Sequence, residues 1–305
     1  MSDLYEPGYE PGAENFTGYR LDLEDHEAIK AGSADYQQLM RSSEWQEADL
    51  FSWWHIRNQG MQGSCRGHSL AACARLGYRM SAGSIDLDND GQDNEANLQD
   101  DFSPDYCYYE AQRSNSIRGD NGATISGGIP VGMAGVAREV DMPYTVAYDP
   151  GRVTAELRQK ATAFKFNRYT KIEDAEAAFD WVGSGQGGLD LGTVWPLPFT
   201  KGCLVKSMST SQRGGGHATA GGTLIKGSTL KRLVPSLAGE VTDDEWILQC
   251  MNSHSVSAQF KGFYFVTQRG FADILKHRFS EVIGWSDMGT PTPRPFDFTK
   301  KSVFG

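Results

Sequence analysis

The chain has little of what marks a secreted, membrane-bound or nucleic-acid-binding protein. Its 305 residues include five cysteines. That odd number, scattered at 65, 73, 107, 203 and 250, gives no legible disulfide framework. A reduced setting is expected, either the cytoplasm or the inside of a virus particle. No window of 18 uninterrupted apolar residues occurs, so no membrane span and no membrane partner are expected. The start, Met1-Ser2-Asp3-Leu4-Tyr5-Glu6-Pro7-Gly8, lacks the basic and apolar regions of a signal peptide. Positive charge is in the minority. Lys and Arg total 29 against 39 Asp and Glu, a net charge of −10. A chain of that sign is not built to neutralise phosphates, and no nucleic-acid partner is expected.

The run Asn58-Gln59-Gly60-Met61-Gln62-Gly63-Ser64-Cys65 carries the most chemistry. It sets a side-chain amide six residues before a thiol. Ser64 is placed as the N-cap of a helix running to about Met80, with Leu70, Cys73, Leu76 and Met80 as an apolar stripe. A thiol in the first helical turn feels the positive end of the macrodipole, which favours thiolate. The Cys65 amide and the Gln59 side chain can aim N–H groups at one point, as an oxyanion hole requires.

A thiolate nucleophile needs a base, and the base needs an orienting group. Of six histidines, His217 stands out in Gly214-Gly215-Gly216-His217-Ala218. Its small neighbours leave room for a substrate backbone. Further on, Trp246-Ile247-Leu248-Gln249-Cys250-Met251-Asn252-Ser253-His254 reads as a buried strand ending in an amide that could hold an imidazole. Singly, each residue is ordinary: a buried thiol, a satisfied histidine, a turn asparagine. Four in the order Gln59, Cys65, His217, Asn252, each inside its own local pattern, are not.

These segments resemble those of the papain-like (C1) cysteine peptidases, over roughly residues 45–275. Asn58-Gln59-Gly60 and Gly63-Ser64-Cys65 are similar to the nucleophile motif, Gly215-Gly216-His217-Ala218 to the histidine strand, and Trp246-Ile247-Leu248 with Asn252-Ser253 to the asparagine motif. Gly262-Phe263-Tyr264-Phe265-Val266 resembles the strand that follows. Phe102-Ser103-Pro104 and Tyr108-Tyr109 resemble a helix start of the bacterial type. Gly119-Asp120-Asn121-Gly122-Ala123 resembles the loop that hydrogen-bonds an extended substrate. The resemblance implies an α+β fold of two lobes, one helical and one β-barrel-like, with the site in the cleft between them. It implies Cys65, His217, Asn252 and Gln59 as catalytic residues, and Asn121, Gly122, Ala123 and Gly216 as substrate-binding residues. A peptide or protein is the implied substrate, and no cofactor is required.

His217 lies 152 residues after Cys65 and Asn252 lies 187 after it, where the family spacing is about 130–150. About twenty extra residues near Ile225 to Glu245 account for the late asparagine and suggest a longer hairpin. Four residues depart from the family pattern. Arg66 follows the nucleophile in place of an aromatic. His254 stands where the family has Trp, which leaves the His–Asn bond without its shield against water. Ala123 replaces a glycine, and Met61-Gln62 fill the stretch that holds a disulfide partner.

Two further patterns have competing readings. Gly183-Ser184-Gly185-Gln186-Gly187-Gly188 matches a dinucleotide-binding string but precedes a strand, so it reads as a flexible turn. Asp86-Leu87-Asp88-Asn89-Asp90-Gly91 matches the first half of a calcium loop, with Asp86, Asp88 and Asp90 as ligands. Position twelve is Asn97, so Glu95 or Asp100 would have to complete the set; otherwise this is a solvated acidic loop.

Residues 1–44 read as an arm, 45–150 as the helical lobe and 151–285 as the β-rich lobe. Helices are expected near 104–113 and 126–139, and a strand over 189–195. Residues 286–305 read as a Pro-rich tail. Both arms carry aromatics on an extended backbone, which suits docking on an assembly partner or on the protein's own surface. The sequence therefore supports a cysteine peptidase, or an assembly or virion-associated protein on the same scaffold with weak or no turnover.

Overall fold

The computed structural model describes residues 55–82 and 101–289. The proposed calcium ligands Asp86, Asp88 and Asp90, and both arms, lie outside the described residues. Among the described residues no group of three or more metal-ligating side chains occurs, and no helix is long and apolar enough to cross a membrane.

Helix α1 spans Cys65–Ala82 and starts where the sequence places it. It is a central helix rather than one with a single apolar stripe. Arg66, His68 and Arg75 are as deeply buried as Leu70 and Cys73. Ser64 precedes the helix, but its hydroxyl meets the Tyr144 hydroxyl at 3.0 Å, and its carbonyl accepts the His68 N–H. Helix α2, Pro104–Ser114, begins at an N-cap where Ser103 accepts the Tyr106 N–H, with proline in the first turn. The helix expected near 126–139 is shorter. A 3-10 turn at Ser126–Gly128 leads into α3, Ile129–Ala134, which stops at Gly135. Gly135 has φ +135°, and a Cβ there would strike the Ala161 carbonyl at 2.2 Å. Glycine is thus required on both counts. Helix α4 follows at Ala155–Ala161.

The rest is one seven-stranded sheet with helices on it. The strands are β1 (Phe166–Lys171), β2 (Leu189–Trp195), β3 (Leu204–Val205), β4 (Gly215–Lys226), β5 (Trp246–Met251), β6 (Phe263–Thr267) and β7 (Glu281–Met288). Their order is β1-β7-β2-β4-β5-β6-β3, antiparallel except for the parallel β3–β6 pair. Strands β2, β5 and β6 are buried along almost their whole length, as strands covered on both faces are, whereas the edge strand β1 has exposed positions. Met251, Phe263 and Ile283 face the core shared with α1 and α2, while their neighbours Cys250, Tyr264 and Val282 face α5 (Ala175–Gly183) and α7 (Gln268–Leu275). The glycine-rich string 183–188 is the turn from α5 into β2. Gly187 packs on the Trp285 backbone, which makes the turn fixed rather than flexible.

The insertion between β4 and β5 is not a plain hairpin. It forms α6, Gly227–Leu233, followed by a 3-10 turn at Pro235–Leu237. Leu230, Val234, Leu237 and Val241 recur at helical spacing and bury against Ile225, Ile247 and Phe265. That apolar patch is what a bare hairpin would have left wet.

Candidate active site

Small residues let α1 sit against β4. Ala218 and Ala220 line the contact, and Ser69 Oγ reaches the Thr219 carbonyl at 2.6 Å. This brings Cys65 to the strand that carries His217: the Ala218 N–H donates to Cys65 Sγ at 3.3 Å. In the β4–β5 ladder Ala220 pairs with Met251. Continuing that antiparallel register past the ladder places His254 opposite His217 and Asn252 diagonal to it. His217 Nε2 and Asn252 Oδ1 are 2.8 Å apart.

Hydrogen bonding fixes the protonation of this pair. Asn252 Nδ2 donates to Gln259 Oε1 at 2.8 Å and meets His254 Nδ1 at 3.0 Å, so Oδ1 is the atom turned to the imidazole. Oδ1 also accepts the Ser253 N–H at 2.8 Å. An acceptor there requires His217 Nε2 to carry the hydrogen. Nδ1 of the neutral ring is then a bare acceptor, and it is buried without a hydrogen-bond partner among the described residues.

The His–Asn bond is shielded after all. Asn252 is 0% and His217 1% exposed. His254 stacks on His217 with centroids 4.4 Å apart at 19°, and Trp195 packs on both rings, 4.7 Å from His217. The missing tryptophan is replaced by a stacked histidine and by an indole from β2. Trp195 and Gln259 are site residues that sequence reasoning missed. Neither sits in a motif: the β2–β4 pairing brings in Trp195, and the loop between β5 and β6 folds Gln259 back onto Asn252.

Burial pushes the His217 imidazole down to about 3, with His254 adding to the shift and the Asn252 hydrogen bond opposing it. Burial alone pushes His254 down to about 4. Both folded values lie below the unfolded histidine value of about 6.5. The unfolded chain therefore binds more protons between these limits, and stability falls as pH drops through roughly 6.5 to 3. Replacing His254 with Asn removes one such group. The variant should lose less melting temperature than the parent between pH 7 and pH 4.5, by several degrees, in thermal denaturation followed by circular dichroism. Equal losses would show that His254 is not buried neutral.

Gln59 is tied to the asparagine loop. Its N–H donates to the Ser253 carbonyl at 2.9 Å, and its Oε1 accepts from Ser253 Oγ at 2.5 Å. One Nε2 hydrogen goes to the Gln62 carbonyl at 3.1 Å. The other has no partner among the described residues and is the donor available to an oxyanion.

Gly63 lies between the nucleophile and the Gly119–Ala123 loop. A Cβ there would come within 3.0–3.1 Å of Asp120, the Gly122 nitrogen and the Tyr108 hydroxyl. Asp120 Oδ1 accepts the Gly63 N–H and the Tyr108 O–H, both at 2.8 Å. The Gly122 N–H donates to Tyr108, and its carbonyl accepts from Gln112. That N–H is spent inside the protein, so Gly122 serves the geometry of the loop rather than offering a donor to substrate. Asn121 is exposed and bonds the Arg118 carbonyl, whereas Ala123 is buried. Gly216 pairs with Val194 beside His217.

Arg66 fills the space behind the nucleophile. Its Nη1 is 2.8 Å from Asp190 Oδ2, with both side chains fully buried. The contact is ionic and poorly aligned for a hydrogen bond. Its Nε and Nη2 donate to the carbonyls of Thr124 and Ile125, just after the loop. Asp190 is also bonded by Ser69 and Trp285. None of the five cysteines forms a disulfide, and all are buried. Burial holds the thiols of Cys73, Cys107, Cys203 and Cys250 up in the protonated range, Cys203 at about 11 and Cys250 at about 12.

No protein-family model matches the sequence, and no curated protein matches it. Solved structures do. Xylellain, a cysteine protease from Xylella fastidiosa, aligns with TM-score 0.61 at 15% identity, over 93% of this chain and 97% of its own. Bromelain from Ananas comosus, in complex with the E64 inhibitor, aligns with TM-score 0.52 at 12% identity, over 79% and 98%. Digestive procathepsin L 3 of Tenebrio molitor larval midgut gives 0.53 at 13%, over 86% and 75%. With helices packed on a sheet that brings His217 and Asn252 beside the Cys65 helix, the chain has the papain-like fold.

Proposed function

We propose that the protein is a cysteine peptidase that hydrolyses peptide bonds through a thioester. The observation that supports this best is the state of His217. Its Nε2–H is held by Asn252, and its bare Nδ1 is buried on the strand whose next amide touches Cys65 Sγ. That nitrogen takes the thiol proton. The Cys65 thiolate then attacks the scissile carbonyl carbon, and the oxyanion receives N–H groups from Gln59 and Cys65. The C–N bond breaks as the His217 imidazolium protonates the leaving amine. Water, deprotonated by His217, hydrolyses the thioester and returns the thiol and a carboxylate. The depressed basicity of neutral His217 is offset when the thiolate forms beside it, so the two groups titrate as a pair.

The complete burial of Cys65 favours one competing reading, a papain-like scaffold with a silent site that serves assembly. One experiment separates the two. An epoxide or iodoacetamide probe at mildly acidic pH should label Cys65 first among the five thiols, with turnover of a generic peptide library in the same preparation. Labelling of Cys203 at an equal rate, or of any thiol only after denaturation, would favour the silent scaffold.

A further inference from the structure

A concave site lies beside the start of the substrate-type loop. It is a cavity of about 490 Å³ between the end of α2, the 116–119 turn and the 148–158 segment, and Gly119 forms part of its wall. That volume is within the usual range for ligand pockets. The charged groups in its lining are Arg113, Arg118, Arg158 and Glu110, a local balance of +2 on a chain of net −10.

The carboxylate and side-chain amide acceptors in this cavity are already engaged. Glu110 Oε1 and Oε2 each accept from both Arg113 and Arg158, at 2.7–2.9 Å. Burial pushes the Glu110 carboxyl up, and Arg158 and Arg113 outweigh it and hold the group ionised below the ordinary glutamate value. Its lone pairs are thus filled. Tyr148 and Gln112 are also spent, on each other and on the Gly119 and Gly122 carbonyls. Each paired guanidinium keeps further N–H groups. Arg118 is exposed and has no ion-pair partner among the described residues.

We infer that this cavity binds the carboxylate of an acidic residue in an extended peptide, three to five residues from the scissile bond. Arg118 offers a whole guanidinium fork to a planar carboxylate, and Arg113 and Arg158, whose Nε and Nη2 are engaged by Glu110, add positive charge and their remaining N–H groups. The register follows from the loop. Gly63, two residues before Cys65, packs on Gly122, and the backbone from Gly122 back to Gly119 leads from the nucleophile to the cavity wall. Three extended residues span about 10 Å. The occupant would press on Tyr148 and Gln112, which hold the loop in place. The word substrate rests on the peptidase reading, whereas the binding site itself does not.

The test uses the full chain and paired peptides that differ only as Glu or Gln, three, four or five residues from the cleaved bond on either side. At one position Glu should raise kcat/KM about tenfold over Gln at low salt, through KM. Arg118→Glu should erase that preference while leaving cleavage of the Gln peptide unchanged. Equal turnover of the pair, or a preference that survives Arg118→Glu, would overturn the subsite. A second arm needs no turnover: the same peptides are titrated against Cys65→Ala by calorimetry. The Glu peptide should bind about tenfold tighter than the Gln peptide, and only with Arg118 in place. Equal affinities would overturn the site. If no peptide is cleaved at all, the peptidase reading falls, and the calorimetry still decides the cavity.

Discussion

Cys65→Ala should abolish peptide hydrolysis, with a fall of about 10⁴–10⁶-fold in kcat. The melting temperature should move by only a few degrees, because one buried sulfur is lost and the Ala218 N–H it accepts is left without that contact. The comparison that matters is with His217→Gln and with the double variant. Groups that act as one unit lose about as much singly as together. If the residues act independently instead, the double variant falls by the product of the single effects, and the proton-sharing pair is wrong. Residual activity in Cys65→Ala within tenfold of the parent would mean another group performs the chemistry.

The largest expected effect on stability is at Arg66. A buried ion pair is weak evidence of stability in itself, but removing one partner strands the other. Arg66→Met leaves Asp190 fully buried with its charge unpaired, and it leaves the Thr124 and Ile125 carbonyls without their donors. The loss should be about 3–5 kcal/mol, roughly 10 °C in melting temperature for a domain of this size. Burial already holds the Asp190 carboxyl above its ordinary value, and Arg66 is the first influence pulling it down. Without Arg66 the carboxyl rises further. A raised folded value means that stability is retained at low pH and lost as pH climbs through that value. The variant should therefore be relatively less damaged near pH 5 than near pH 8. Arg66→Met with Asp190→Asn should recover part of the loss. A single variant as stable as the parent at pH 8 would show that Asp190 is already neutral and that the pair is not ionic.

The division between what was legible and what was not follows the range of each interaction. Cys65 on a helix start, His217 among glycines and Asn252 at a strand end are local patterns, and each falls where the sequence places it. Pro104 behind Ser103 is likewise a local signal, and it sets the start of α2 correctly. The stacked His254 and the Trp195 cover are products of strand pairing, and the Gln259 brace is a product of the loop between β5 and β6. His254 reads as a missing tryptophan until the β4–β5 register sets it opposite His217. Arg66 reads only as a departure from a family pattern, because its meaning lies in Asp190, 124 residues away. Helix α3 ends early because Gly135 needs a backbone conformation that periodicity does not record. The helix in the β4–β5 insertion was available in the spacing of Leu230, Val234, Leu237 and Val241, but counting residues against a family length concealed it.

The tie between Gln59 and Ser253 has a consequence in time. These residues are 194 positions apart, so the Gln59 side chain is set by a segment made long after it. At about 5–20 residues per second, a ribosome needs roughly 10–40 s to travel from one to the other. Throughout that interval the nascent chain carries the thiol but neither the amide that orients the histidine nor the serine that aims the glutamine. Contacts of such sequence separation also slow folding, because their loop-closure entropy is met before they are made. On the peptidase reading proposed above, the Cys65 thiol would have no assembled partners during that interval, and activity would appear only once the segment carrying Asn252 and Ser253 has folded onto Gln59.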